Sequence, residues 1–253
     1  MAKNGGYKVS FVVPVLNMCS FMSDTLDSLV QQTLKDIEIV VIDDGSTDHL
    51  IDLVSFYTKN DSRIKYRAFA NRGGAGRGRN EGNKIAEAPI ICVCDAGDIY
   101  SKYRAEIAYE YFNKHPDVGV LCCAVMYNAK KWQPPVIPRL YQGKPGEKLM
   151  FEHPGVAYRK EVVVRWPYRE DSLDTDQYDA FFFTLGRNGV KFGTSEEVVC
   201  SKTSLWGYSQ GRDLNKARLK KLEIYKEFGI ELPEDHWLKR FERNYRELKG
   251  GEK

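Results

Sequence analysis

The sequence is short of the features that would fix its class at a glance. No apolar run approaches the roughly 18 residues of a membrane span; the longest, Ile37–Ile42 and Val118–Met126, stop well below it. The first residues, Met1-Ala-Lys-Asn-Gly-Gly, carry no apolar signal core, so secretion is not expected. Charge of one sign is scarce: 38 Lys+Arg against 35 Asp+Glu leaves +3, too mild to argue for nucleic acid by itself. The 6 cysteines lack metal spacing, with Cys92 and Cys94 in an apolar run and Cys122 beside Cys123. They read as reduced, mostly buried thiols, which disfavours both zinc and a disulfide framework. Neither an internal repeat nor a low-complexity tract is present. What remains is globular stock, 42% hydrophobic and 29% charged over 253 residues, enough for one large domain or one domain with a small appendage.

Short apolar runs alternate with amphipathic ones. Val9–Val13, Ile37–Ile42, Ile64–Ala70, Pro89–Cys94 and Val118–Met126 read as strands. Phe21–Gln32, Thr47–Tyr57, Gly78–Ala86 and a segment from Ser101 to about Lys114 read as helices, the first capped by Ser20 or Ser23. This alternation predicts an α/β fold, a mostly parallel central sheet with helices on both faces. Ligands of such sheets sit outside the carboxyl ends of the strands. That edge should gather Pro14-Val15-Leu16-Asn17, Asp43-Asp44-Gly45-Ser46, Asn71-Arg72-Gly73-Gly74 and Asp95-Ala96-Gly97-Asp98. The second half is less regular. Lys130–Pro145, with 4 prolines, reads as loop with an edge strand; a helix opens at Asp174 or Asp176 and runs through Gly186; Val190–Phe192 and Val198–Cys200 are short strand candidates.

Asp43 and Asp44 follow a buried strand. One carboxylate would serve a turn or a helix cap, and a second acceptor there suits the N–H of a base or a ribose hydroxyl. Asp95 and Asp98 stand three apart after another buried strand, a pattern that holds a hard divalent cation, Mg²⁺ or Mn²⁺, or simply a solvated turn. Asn71–Asn80 holds 4 glycines and 3 arginines, Arg72, Arg77 and Arg79. It suits phosphate recognition or a flexible basic loop, but it matches neither the dinucleotide fingerprint nor the P-loop.

As a set, these segments resemble the inverting family-2 glycosyltransferases of GT-A fold. The carrying residues are Val9–Asn17, Ile39–Asp48, Asn71–Gly74 with Gly78–Asn80, and Asp95–Asp98; order and spacing match over about the first 100 residues. A weaker echo, His153-Pro154-Gly155-Val156-Ala157-Tyr158-Arg159-Lys160-Glu161, resembles the family's acceptor-side segment. The resemblance implies sugar transfer, with inversion, from a nucleotide-diphospho-sugar, a UDP-sugar above others, to a hydroxyl of a saccharide or lipid-linked acceptor. By the same resemblance Pro14, Val15 and Asn17 line the nucleotide, Asp43 and Asp44 sit near base or ribose, and Arg79 helps hold it. Asp95 meets ribose and metal, Asp98 the metal, and His153 the acceptor. The other reading of His153 is a loop histidine hydrogen-bonded beside Pro154.

Two departures stand out. Gly97 occupies the family's central acidic position. On the acceptor side, a match on Tyr178-Asp179 puts Gln177 where the family has a carboxylate base. Asp176 is then the first candidate base and Asp174 the second, with Asp179 deeper or buttressing the fold. A non-catalytic binder of nucleotide-sugar or nucleic acid and a sugar nucleotidyltransferase are the alternatives. The expected organisation is a domain over 1–210, with a nucleotide-binding half (1–100) and an acceptor half (101–210), and a helical appendage over 211–253. The appendage has 12 Lys+Arg and 9 Asp+Glu, and its helices are expected to pack on the sheet through Leu214, Leu219, Leu222, Tyr225 and Phe228. A cytoplasmic location is expected, with peripheral membrane contact open because some acceptors are lipid-linked.

Overall fold

The computed structural model describes residues 6–127, 131–133, 152–170 and 177–202, with residues 219, 222, 223, 226, 227 and 239. Strands β1 (Val9–Val15), β2 (Ile37–Asp43), β3 (Ile64–Ala68) and β4 (Ile90–Val93) lie in parallel in the order β3-β2-β1-β4. Helices α1 (Cys19–Val30), α2 (Leu50–Asn60) and α3 (Gly74–Ile85) connect them. Every residue of β2 is buried, as a strand covered on both faces requires.

The sheet continues through β8 (Val156–Arg159), β6 (Val120–Tyr127), β9 (Phe192–Lys202) and β5 (Ile99–Tyr100), with β7 (Lys131–Gln133) also paired to β6. Among the described strands only β5, β7 and β8 run against the others, so the sheet is mostly parallel. Helix α4 (Arg104–Lys114) precedes β6, α5 (Lys160–Arg165) follows β8, and α6 (Gln177–Arg187) precedes β9. The two predicted short strands of this region are one long strand. Register shifts on either side of Ala124 pass over Glu196 and Glu197, then Val199, so the ladder continues past the interruption.

Two cores result, one on each face. Phe11, Val13, Ile39 and Val41 point to one, with Met22, Leu26, Leu29 and Phe112. Val12, Val40 and Ile42 point to the other, with Tyr158, Phe181 and Phe182. The period of two along each strand makes this division. Leu222 is buried in the second core, and Glu227 pairs with Arg169 at 2.7 Å. The rest of the expected appendage lies outside the described residues. Among the described residues no helix is long and apolar enough to cross a membrane.

Helix α3 has no apolar stripe; it packs by close approach. A Cβ on Gly82 would lie 2.3 Å from Val12 Cγ1, and one on Gly78 3.0 Å from Pro14 Cβ. The backbone of α3 therefore rests on β1, which carries Arg79 to the sheet edge. The helix starts at Gly74, a turn before the predicted Gly78. Asp44 supplies its cap, accepting from Gly73 N–H at 2.8 Å and Gly74 N–H at 2.7 Å. Nor do Ser20 and Ser23 cap α1: its first residue, Cys19, donates its N–H to Asp48 Oδ2 of the β2–α2 loop at 2.9 Å.

Candidate active site

The carboxyl ends of β1, β2 and β4 are tied to one another by their own polar groups. Asp44 N–H reaches Val15 O at 2.9 Å, which seats the β2–α2 turn on the end of β1 beside Pro14. Asn17 sits in the left-handed region at φ 52°, a conformation asparagine tolerates. It donates its N–H to Ser46 Oγ at 2.9 Å and accepts from Thr47 N–H through Oδ1 at 2.8 Å. Asp43 accepts from Ser46 N–H at 2.8 Å and from the Tyr66 hydroxyl at 2.7 Å. Burial and the Asp43 carboxylate push the Tyr66 phenol far up, so Tyr66 stays a donor. Asp43 and Asp44 thus fill the turn-and-cap reading, with the cap made on α3; both are nearly enclosed.

Asp95 leaves β4 with its N–H on the Tyr100 hydroxyl at 2.7 Å, and its Oδ1 accepts from Arg79 Nη2 at 2.6 Å. The Asp95 side chain is 26% exposed, whereas that of Arg79 is 2% exposed. Arg79, expected to hold the nucleotide, therefore lies behind Asp95 rather than on the surface. Its guanidinium lies over the Tyr178 ring, 4.8 Å from the centroid, and 5.9 Å from that of Tyr168. Asp98 is 3% exposed, with its carbonyl accepting from Thr25 Oγ1 at 2.8 Å. Gly97 has φ 92°, and its N–H reaches the same Thr25 Oγ1 at 2.9 Å. The residue at the family's acidic position is thus a turn glycine in the left-handed region.

In the segment expected on the acceptor side, His153 opens a 3₁₀ turn (His153–Gly155) and is 6% exposed. Its Nε2 shares a hydrogen bond with the Tyr168 hydroxyl at 2.8 Å, and its ring stacks on Tyr178 at 4.0 Å. Burial, then the charges of Arg79, Lys202 and Arg104, hold its pKa well below the usual histidine range, so it is neutral. Enclosed by rings, it meets side chains rather than open surface, which is the plainer of its two readings. Asn80 clamps the chain nearby: its Nδ2 donates to Tyr168 O at 2.8 Å and Glu170 Oε1 at 2.7 Å, and its Oδ1 accepts from Tyr168 N–H at 2.9 Å. Asp179 is buried. Asp174 and Asp176 lie outside the described residues. Sequence reasoning missed Tyr178, Tyr168 and Asn80 as parts of this site. Tyr178 served there only to align a motif, and the proximity of Tyr168 to α3 is a tertiary fact.

A family profile described as "Glycosyl transferase family 2" matches residues 10–173, which is most of the chain. The chain belongs to glycosyl transferase family 2. "Glycosyltransferase GlyG" of Streptococcus pneumoniae is 30% identical over 102 residues, covering 40% of this chain and 34% of that protein. "Poly(ribitol-phosphate) beta-glucosyltransferase" of Bacillus spizizenii is 37% identical over 110 residues, covering 42% of this chain and 17% of the relative. The chain thus spans about a third or less of these relatives' length. Among solved structures, S. aureus TarS 1–349 in complex with UDP-GlcNAc superposes with TM-score 0.69 at 19% identity, covering 90% of this chain and 69% of that one. The mannosyltransferase PcManGT from Pyrobaculum calidifontis, in complex with GDP-Man and Mn²⁺, gives 0.62 at 18% identity, covering 87% and 62%. These likenesses show the fold, the expected α/β GT-A arrangement.

Proposed function

We propose that this family-2 protein transfers a sugar, with inversion, from a UDP-sugar to the hydroxyl of a saccharide or lipid-linked acceptor. The observation that carries the reading is the single edge on which Pro14-Val15, Asn17, the Asp43–Asp44 turn and the Arg79–Asp95 pair converge. Nucleotide-sugar binding by structural neighbours of the same fold supports it. The nucleotide lies across the ends of β1 and β2, against Pro14, Val15 and the turn that Asn17 and Asp43 brace.

Asp95 fits a hard cation. It is a partly exposed carboxylate with one oxygen on Arg79 and oxygen capacity remaining. Asp98, being buried, is the weaker partner. Among the described residues no group of three or more His, Cys, Asp or Glu is placed to hold a metal, so substrate oxygens would complete the shell. A bound Mg²⁺ or Mn²⁺ supplies neutralisation of charge developing on the diphosphate.

In the transfer, Asp176 takes the acceptor proton, with Asp174 the second candidate. The acceptor oxygen attacks C1 from the face opposite the diphosphate, and the C1–O bond breaks with its electron pair leaving on the diphosphate. The test is calorimetry of UDP with and without Mn²⁺, followed by UDP release from UDP-sugars with candidate acceptors. Asp176→Asn should leave UDP affinity unchanged and cut turnover about 100-fold or more, the scale of a lost general base. Absence of UDP binding overturns the donor reading, and full turnover in Asp176→Asn removes that residue as base.

A further inference from the structure

We infer that Tyr178 is a positioning residue: its ring holds the buried Arg79 guanidinium in the orientation that presents Asp95 to the donor edge. The inference rests on the function proposed above, but its grounds are separate.

Arg79 is buried, yet only Nη2 makes a hydrogen bond, to a single oxygen of Asp95, while Nε and Nη1 have no hydrogen-bond partner. A forked pair would fix a guanidinium plane by two parallel bonds; a single contact leaves it free to turn about that bond. The remaining constraint is Tyr178, which meets Arg79 through its ring and, in a looser contact, its hydroxyl, with Tyr168 beyond it. Tyr178 lies 4.8 Å from the guanidinium and Tyr168 5.9 Å, within the range where a ring face attracts a desolvated cation.

Tyr178 is itself held. It stacks on His153 with an interplanar angle of 20°, His153 is hydrogen-bonded to Tyr168, and Tyr168 stacks on Phe181 at 3.9 Å. Asn80, next to Arg79 on α3, grips the Tyr168 backbone at N–H and C=O. The result is a closed loop of contacts through α3, the stretch after α5 that holds Tyr168, α6 and the 3₁₀ turn. Asp95 and Tyr178 are its partly exposed members. A change in the ring at 178 therefore reaches Asp95 through Arg79, and the metal-free UDP affinity separates this route from a direct contact of Tyr178 with the nucleotide.

The test compares Tyr178→Leu with Tyr178→Phe by calorimetry of UDP in the presence and absence of Mn²⁺. In Tyr178→Leu, the enhancement of UDP affinity by Mn²⁺ should fall about tenfold, while metal-free UDP affinity stays at the wild-type value. Tyr178→Phe, which keeps the ring, should restore the enhancement. Undiminished enhancement in Tyr178→Leu, or equal loss in both variants, overturns the inference. Should the Leu variant fail to fold, the wild-type Arg79 Nε–H resonance gives a second reading. That resonance should carry a ring-current displacement and should move on addition of UDP with Mg²⁺; a resonance that stays fixed overturns the inference. Wild-type protein that binds no UDP defeats the proposed function itself, whereas normal wild-type binding that Tyr178→Leu retains in full defeats only the role of Tyr178.

Discussion

His153 shows what burial does to a single residue. Its folded pKa lies well below 6.5, first through burial and then through Arg79, Lys202 and Arg104. Above pH 6.5 both folded and unfolded chains carry it neutral, and its contribution to stability is complete. As the pH falls below 6.5, the unfolded chain takes up a proton that the fold refuses, so stability falls by about 1.4 kcal/mol per pH unit until the folded pKa is reached. The depressed carboxylates Glu38 and Asp61 have reference values of 4.5 and 3.8, so their losses come in more acid solution. Urea unfolding at pH 7.5 and 5.5 should therefore show a drop in the wild type that largely disappears in His153→Gln. An equal drop in both would assign it elsewhere. At this scale the sequence displayed much of this sheet edge, because Pro14, Asp43, Asp44 and Asp95 each end or follow an apolar run. It did not display what surrounds Arg79. Tyr168 and Tyr178 arrive from segments about 90 and 100 residues along the chain, and no local pattern records which ring meets which cation.

Among the elements, α3 is the least legible and the most instructive. Periodicity could not find its first turn, because its cap is Asp44, remote in sequence, and its packing face is glycine rather than leucine. The strands β1 and β2 were plain for the opposite reason: complete burial leaves a continuous β-branched run. Strand β8 escaped notice because it is short and antiparallel, and no turn signal sets it off from α5. The packing of α3 gives a prediction against propensity. Alanine is a better helix former than glycine by about 1 kcal/mol. At Gly82, however, a Cβ meets the stiff, buried Val12 side chain at 2.3 Å and Ile42 Cγ1 at 3.3 Å. Overpacking of this kind costs about 1–3 kcal/mol. Gly82→Ala should thus lower the urea midpoint, and a raised midpoint would mean that β1 yields.

For the molecule as a whole, the question is how far the chain beyond β9 belongs to the fold. Leu222 is buried in the second core, and Glu227 reaches Arg169. Leu222→Ala should therefore cost about 2–4 kcal/mol, the range for emptying a buried leucine site, measured by denaturant unfolding. A cost below 0.5 kcal/mol would leave that stretch a true appendage. The two cores also dispose of the thiols in a useful way. Cys92, Cys94, Cys122, Cys123 and Cys200 are buried, and burial pushes their thiols up, that of Cys123 to about 12. Only Cys19 is partly exposed, where α1 begins next to the donor edge, with its N–H on Asp48. Its own thiol is raised by burial and by Asp48 and Asp52, so it should react slowly but alone. Mass spectrometry after maleimide treatment should count one label on the native protein and 6 on the denatured chain. The wild-type protein then accepts a fluorophore at one place, beside the expected nucleotide, and donor binding can be followed by light without engineering a single residue.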